Sequence, residues 1–154
     1  MTSFCLELIK LILQLLGAVY IARLTVRWAL ERFKSEKSWE RQISTVADLL
    51  VAIEEMHRIN GIWLDAEIEH GTLVEERDKE LRTSYREAMR NFEKGTAMAA
   101  VLLPPDIYGI VKHLHTALTT LEHDSPFDEY DADGAALQNA REKLIEAGRK
   151  LQAK

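Results

Sequence analysis

The sequence predicts an all-α protein in which a single N-terminal transmembrane helix precedes an antiparallel four-helix bundle. Three observations predict it. Residues 4–33 are mostly Leu, Ile, Val, Ala and aromatics, with no proline and one glycine, Gly17. Further on, apolar residues return at alternating spacings of three and four, as they do on helices that bury one face. The whole chain of 154 residues holds seven glycines and three prolines, so little stops a helix from running long. The expected division is 1–33 as a membrane-anchoring helix and 34–154 as a cytoplasmic helical bundle.

The leading segment carries the location. Its charge-free core, residues 11–22, falls short of the ~20 apolar residues that cross ~30 Å of hydrocarbon. Lys10 at one end, and Arg23 and Arg27 at the other, have long apolar stems that let their charges reach the headgroups. Residues 6–30 then suffice for a tilted span, with Tyr20 and Trp28 as interface anchors. Ser3, Glu7, Lys10, Gln14 and Gly17 follow spacings of four, three, four and three, a rhythm that continues to Ile21, Leu24 and Trp28. Polar and small residues on one face of a membrane helix face other helices rather than lipid, and copies of the same segment are the simplest partners. The expectation is a homo-oligomer with this seam at its centre. A wide ring would be a pore lined by Glu7, Lys10 and Gln14, and a tight one an anchor with paired charges. The competing expectation is a soluble adaptor whose N-terminal helix packs on a partner protein, the seam being its wet face.

Charge sets the orientation. Residues 1–41 hold seven Lys/Arg against four Glu, so of the net −5 the remainder carries −8. Arg23, Arg27, Arg32, Lys34, Lys37 and Arg41 follow the apolar run and only Lys10 precedes its core, which puts the body in the cytoplasm and the N-terminus outside an inner membrane. An acidic body disfavours nucleic acid as the main partner. The single cysteine, Cys5, excludes a disulfide framework and suits a reducing compartment.

The body reads as four helices. Ser35 or Ser38 offers an N-cap for the first, the alternative being a helix that simply runs on. Its stripe is Trp39, Ile43, Val46, Leu50, Ile53, Met56 and Ile59. Although Asn60-Gly61 could break it, Ile62, Trp63, Ala66 and Ile68 restart helical spacing, so helix, straight or kinked, is expected up to His70 with Gly71 as a stop. Thr72 with Glu75 forms a capping box opening the second helix, whose stripe is Val74, Leu81, Tyr85, Ala88, Phe92, Ala99 and Leu102. Pro104-Pro105 ends it, and Pro105 opens a third with Ile107, Ile110, Val111, Leu114, Leu118 and Leu121 buried. An acidic connector leads to a fourth helix starting between Tyr130 and Asp133 and carrying Leu137, Ala140, Leu144, Ala147 and Leu151.

Candidate chemistry fails on spacing. E-x-x-H occurs at Glu54–His57 and Glu67–His70, but both copies fall on one helix ~20 Å apart, whereas a di-iron site needs them on two helices. His113 and His115, two apart, point to different faces and read as solvated. Glu129, Asp131, Asp133 and Gly134 fit the start of a calcium loop, but the twelfth position is Ala140 instead of a bidentate Glu. No phosphate-loop, nucleophile-elbow or zinc-protease motif occurs. No arginine has a histidine four to six residues after it, which disfavours a helical nuclease. The reading is non-enzymatic, without cofactor or metal.

The stretch Arg32-Phe33-Lys34-Ser35-Glu36-Lys37, followed by Trp39-Glu40-Arg41, resembles a motif in a family of uncharacterised bacterial proteins with one N-terminal hydrophobic helix and a small helical-bundle body. The resemblance covers most of the chain, and residues 33–41 are its distinctive part. It implies membrane attachment and a helical cytoplasmic domain, and it brings no catalytic residue. In layout alone the chain is also similar to small membrane effectors of bacterial antiviral defence.

Overall fold

The computed structural model describes residues 2–69, 71, 73–120 and 125–152, with the side chains of residues 2–16 and 152 outside that set. Four helices follow in order, α1 Thr2–Ile68, α2 Glu75–Leu102, α3 Pro105–Thr120 and α4 Pro126–Gln152, with no strand among the described residues. The protein is all-α. It divides into two units, residues 1–40 and 41–154.

In the first unit α1 continues through Ser35 and Ser38, so neither serine caps a new helix. Between Gly17 and Gly61 the sequence has no glycine or proline to interrupt it. Ion pairs one turn apart, Arg27–Glu31 at 3.7 Å and Arg32–Glu36 at 3.0 Å, add a few tenths of a kcal/mol each. No helix is long and apolar enough to cross a membrane among the described residues.

The second unit is a bundle of residues 41–68 of α1 with α2, α3 and α4. Leu49, Ile53, Met56, Phe92, Val111, Leu137 and Leu144 are fully buried at its centre. α1 runs antiparallel to α2: the Gln42 amide donates to the Leu102 carbonyl at 2.9 Å, and the Trp63 indole donates to Asp78 at 3.1 Å. It also runs antiparallel to α4, through the Asn60 amide on the Tyr130 carbonyl (2.6 Å) and the Arg141–Glu54 ion pair (2.5 Å).

The helix runs on through Asn60-Gly61, as the spacing beyond it predicts, and Asn60 is buried with its side chain held across to α4. Several other local expectations change. In α1, Leu49 rather than Leu50 takes the central position, and Trp39 is 45% exposed. Val74 is exposed rather than buried. Thr72 lies outside the described residues, but α2 starts only at Glu75, with Val74 at the N-cap and no side-chain cap bond. Leu73 packs against Ile59, Trp63 and Leu81, and this apolar contact holds the connector out of the helix. Glu75, Glu76 and Asp78 instead place negative charge on the first turn. α4 begins at Pro126, some four residues before the expected start. The Ser125 hydroxyl accepts from the Asp128 amide at 3.2 Å and donates to its carboxylate at 2.7 Å, while Pro126 takes the first helical position. Most of the supposed acidic connector is therefore the opening of a helix.

Leu49 of α1 packs directly against Gly95 of α2. A Cβ on Gly95 would meet Leu49 Cδ2 at 2.7 Å and Cγ at 3.0 Å, so the fully buried Leu49 side chain would have to shift to admit it. Gly61 faces open space, with nothing within 4 Å of a Cβ. Gly95→Ala should therefore lower stability by about 1 kcal/mol, overpacking outweighing helix propensity. Gly61→Ala should raise it by about the same amount. Urea denaturation of the full chain followed by circular dichroism reads both, and equal signs would contradict the packing described.

Candidate functional site

Ser3, Glu7, Lys10 and Gln14 lie on α1, but their side chains fall outside the described residues. Of the expected seam, Gly17 faces open space and Ile21 is 65% exposed. Arg23, Arg27 and Trp28 are also exposed. The structure therefore places the C-terminal part of the seam on an uncovered helix surface. Val19, Tyr20, Leu24, Val26, Leu30 and Phe33 are exposed beside it, at 41–68%. Val19, Ala22, Val26 and Leu30 make a continuous apolar stripe flanked by Arg23 and Arg27. Contiguous apolar surface on this scale marks a place where lipid or protein binds.

In the second unit the most elaborate side-chain cluster surrounds Trp63. Its ring lies 5.3 Å from that of Tyr85 and 5.6 Å from that of Tyr130, the latter stacked. Its indole N–H donates to Asp78, which accepts from Arg82 at 2.7 Å, and the Arg82 guanidinium sits 5.7 Å over the indole. The hydrogen bond from Arg82 holds the Asp78 carboxyl below its usual range. Burial pushes the Tyr85 phenol up to about 12, with the charges of Asp133 and Glu129 adding to it. Burial also raises Tyr130, against the pull of Arg82. Each displaced group moves away from neutrality, the reverse of what a general acid or base needs. The cluster ties α1, α2 and α4 together.

The other candidates are occupied or separated. Glu54 is paired with Arg141 and Glu55 with Arg58, which holds the Glu55 carboxyl low through a hydrogen bond. His113 is exposed on α3, whereas His115 is half-buried and stacks on Phe92 with ring centroids 6.3 Å apart. His115 is thus part of the packing rather than a solvated surface histidine. Glu129, Asp131, Asp133 and Gly134 lie in α4, where a helix replaces the loop that a calcium site requires. Among the described residues no group of three His, Cys, Asp or Glu side chains could hold a metal.

One groove was not anticipated. A cavity of about 740 Å³ lies between α1 and α2, with Thr45, Ala52, Ala88 and Gly95 on its floor and Asp48, Glu87 and Lys94 on its walls. The signal was a second seam of small and polar residues, Arg41, Ser44, Asp48, Ala52 and Glu55, running beside the apolar stripe at the same three–four spacing.

No protein-family model, no curated protein and no solved structure matches the chain. Its function has to be argued from its own surfaces.

The raised phenol of Tyr85 links pH to folding. The neutral phenol is favoured in the folded state, so its contribution is complete below the unfolded value near 10 and is lost as pH rises towards about 12. Tyr85→Phe should remove that component and shift alkaline unfolding to higher pH. Circular dichroism across this window checks it, and an unchanged profile would mean that Tyr85 ionises in the folded state as it does in water.

Proposed function

We propose that the chain is a non-enzymatic, membrane-anchored assembly protein of the inner membrane. The observation that carries this is the uncovered apolar surface from Val19 to Phe33, in a chain whose second unit largely buries its own apolar residues. Residues 6–30 form the anchor, with Arg23, Arg27 and Trp28 at the cytoplasmic headgroups. Ser3, Glu7, Lys10, Gln14, Gly17 and Ile21 form the face along which copies meet. The bundle works on the cytoplasmic side, as a scaffold or as the trigger of a membrane-perturbing effector of the antiviral-defence kind.

A second reading, a soluble adaptor, draws on Arg23, Arg27 and Glu31, which fall one turn apart on α1 with Arg27 and Glu31 paired. Such a charged edge suits a helix laid against a partner protein.

Two measurements separate these readings. An anchored chain should stay with membranes through carbonate extraction, whereas an adaptor should be released. Replacing Glu7, Lys10 and Gln14 together with Leu should change the mass of the detergent-solubilised complex. An unaltered mass would remove the seam from the proposal.

A further inference from the structure

The two walls of the α1–α2 groove carry opposite charges at one level: Asp48 stands on α1 and Lys94 on α2. The Gln42–Leu102 hydrogen bond and the Leu49–Gly95 contact set the levels across the groove. Counted along the antiparallel helices from those contacts, Asp48 and Lys94 lie about two residues, ~3 Å, apart along the bundle. Ser44 and Met98 are matched to the same degree, and Val51 is level with Lys94. Asp48 and Lys94 are exposed, and neither forms an ion pair among the described residues. Val51 and Met98, on the same walls, are 70% and 53% exposed. Between the walls lie Ala52, Ala88 and Gly95, buried but too small to fill the groove.

We propose that this face pairs with the same face of a second copy, about a two-fold axis parallel to the bundle. Such an axis lays α1 of each copy on α2 of the other at an unchanged level. Asp48 then meets the second copy's Lys94, and Lys94 meets its Asp48, so one contact is made twice. Val51 covers the stem of the opposing Lys94, and Met98 reaches the opposing Ser44. Glu55 comes opposite Glu87, but Glu55 already holds Arg58 and presents a neutralised pair. A lone helix from another protein would need a cation for Asp48 and an anion for Lys94 at one level; a second copy brings both.

The inference rests on the anchored reading above, which gathers copies in one bilayer with the same end of each bundle towards it. An axis across the bundle would turn one copy end for end and is set aside on that ground. The charge distribution says why the anchor is needed. Residues 41–54, 90–112 and 141–152, the half of the bundle at which α1 enters, hold eight Lys/Arg against six Asp/Glu, a net of +2. The other half, residues 55–69, 75–89, 113–120 and 126–140, holds five against thirteen, a net of −8. Pairing same end up sets the two acidic halves side by side, and exposed ion pairs are weak. Confinement by the anchors supplies the effective concentration that overcomes this repulsion, so pairing follows how densely the anchors are gathered.

The test uses the full chain with Cys5→Ser, reconstituted in lipid vesicles and treated with a short thiol cross-linker. An equal mixture of the Ser44→Cys and Met98→Cys forms should give the mixed covalent dimer, and neither form alone should link to itself. Val51→Cys alone should also stay unlinked, since α1 of one copy lies on α2 of the other. Asp48→Lys or Lys94→Asp, placed in both forms of the mixture, should cut the yield on the order of fivefold or more by opposing like charges. The two substitutions together should restore it. Circular dichroism should stay unchanged, since all five positions are exposed.

Carbonate extraction of the same samples reads the anchor separately. Chain retained in the membrane without the mixed dimer overturns the groove pairing and leaves the anchor standing. Chain released and unlinked overturns both. Chain released yet linked, with the yield restored by the double exchange, keeps the pairing and removes the anchor. Self-linkage of Val51→Cys, or a yield that the charge exchanges leave unaltered, overturns the pairing described.

Discussion

The second unit depends on how closely α1 approaches its neighbours. Gly95 of α2 lies over Leu49, while Gly134 and Gly148 of α4 face Asn60 and Val46, where a Cβ would come to 3.0 Å from the Asn60 amide and 3.5 Å from Val46. A glycine inside a helix costs roughly 1 kcal/mol relative to alanine. The offset is register. A stripe of apolar residues at three–four spacing fits its partner nearly as well after sliding by a heptad, so apolar burial alone leaves the axial position loose. Sliding α1 by one turn would press Leu49 against a side chain and strand the Asn60 amide without the Tyr130 carbonyl. An unsatisfied buried amide costs about 1–3 kcal/mol. The glycines and that amide therefore decide which residues share a level along the bundle.

The level decides the electrostatics. Arg41, Lys94 and Lys150 are far apart in the chain, and only the register collects them at one end. The same register gathers Asp133 and Glu129 around Tyr85, where burial, and after it their charge, holds the phenol neutral. Within that acidic half, Arg82 is drawn between Asp78 and the Trp63 ring, so its charge is spent on joining α1 to α2. The concentration of acids in one half of the bundle follows from three packing contacts that contain no charge.

This explains what the sequence showed and what it hid. The helical class, the turn at Pro104-Pro105 and the buried Ile53, Phe92, Leu114 and Leu144 follow from local pattern, because periodicity and proline act over one or two turns. Gly95 was invisible as a core position, since a glycine in an apolar stripe registers as a gap rather than as a contact. The capping box at Thr72 and Glu75 was a valid local preference that yielded to the burial of Leu73 beside Trp63. At Ser125-Pro126-Phe127-Asp128 the opposite happened: a serine cap and a proline in the first helical position were readable, but the surrounding acids made the segment look like a loop. The candidate seam was read from spacing alone; of its six members Gly17 and Ile21 lie uncovered on α1, and the side chains of Ser3, Glu7, Lys10 and Gln14 lie outside the described residues. Charge polarity along the bundle was not readable, because it is a property of register and no short window contains it.

The two units meet different physical requirements. Among the described residues of the second unit the buried polar side chains are satisfied, burial holds the Tyr85 phenol neutral, and Glu54 of the first E-x-x-H and its neighbour Glu55 are bound by arginines. A unit arranged in this way has spent its polar groups on holding shape. Residues 17–33 do the reverse, leaving Val19, Ile21, Val26, Trp28 and Phe33 in contact with solvent in a helix that has nothing of its own unit to bury against. At roughly 25 cal/mol per Å² of apolar surface, several side chains of this size represent many kcal/mol available to whatever covers them. That free energy can be released only by a second body, lipid or protein. Its release would couple the leading helix to its surroundings without any bond being made or broken, which is the physical basis of the assembly proposed above.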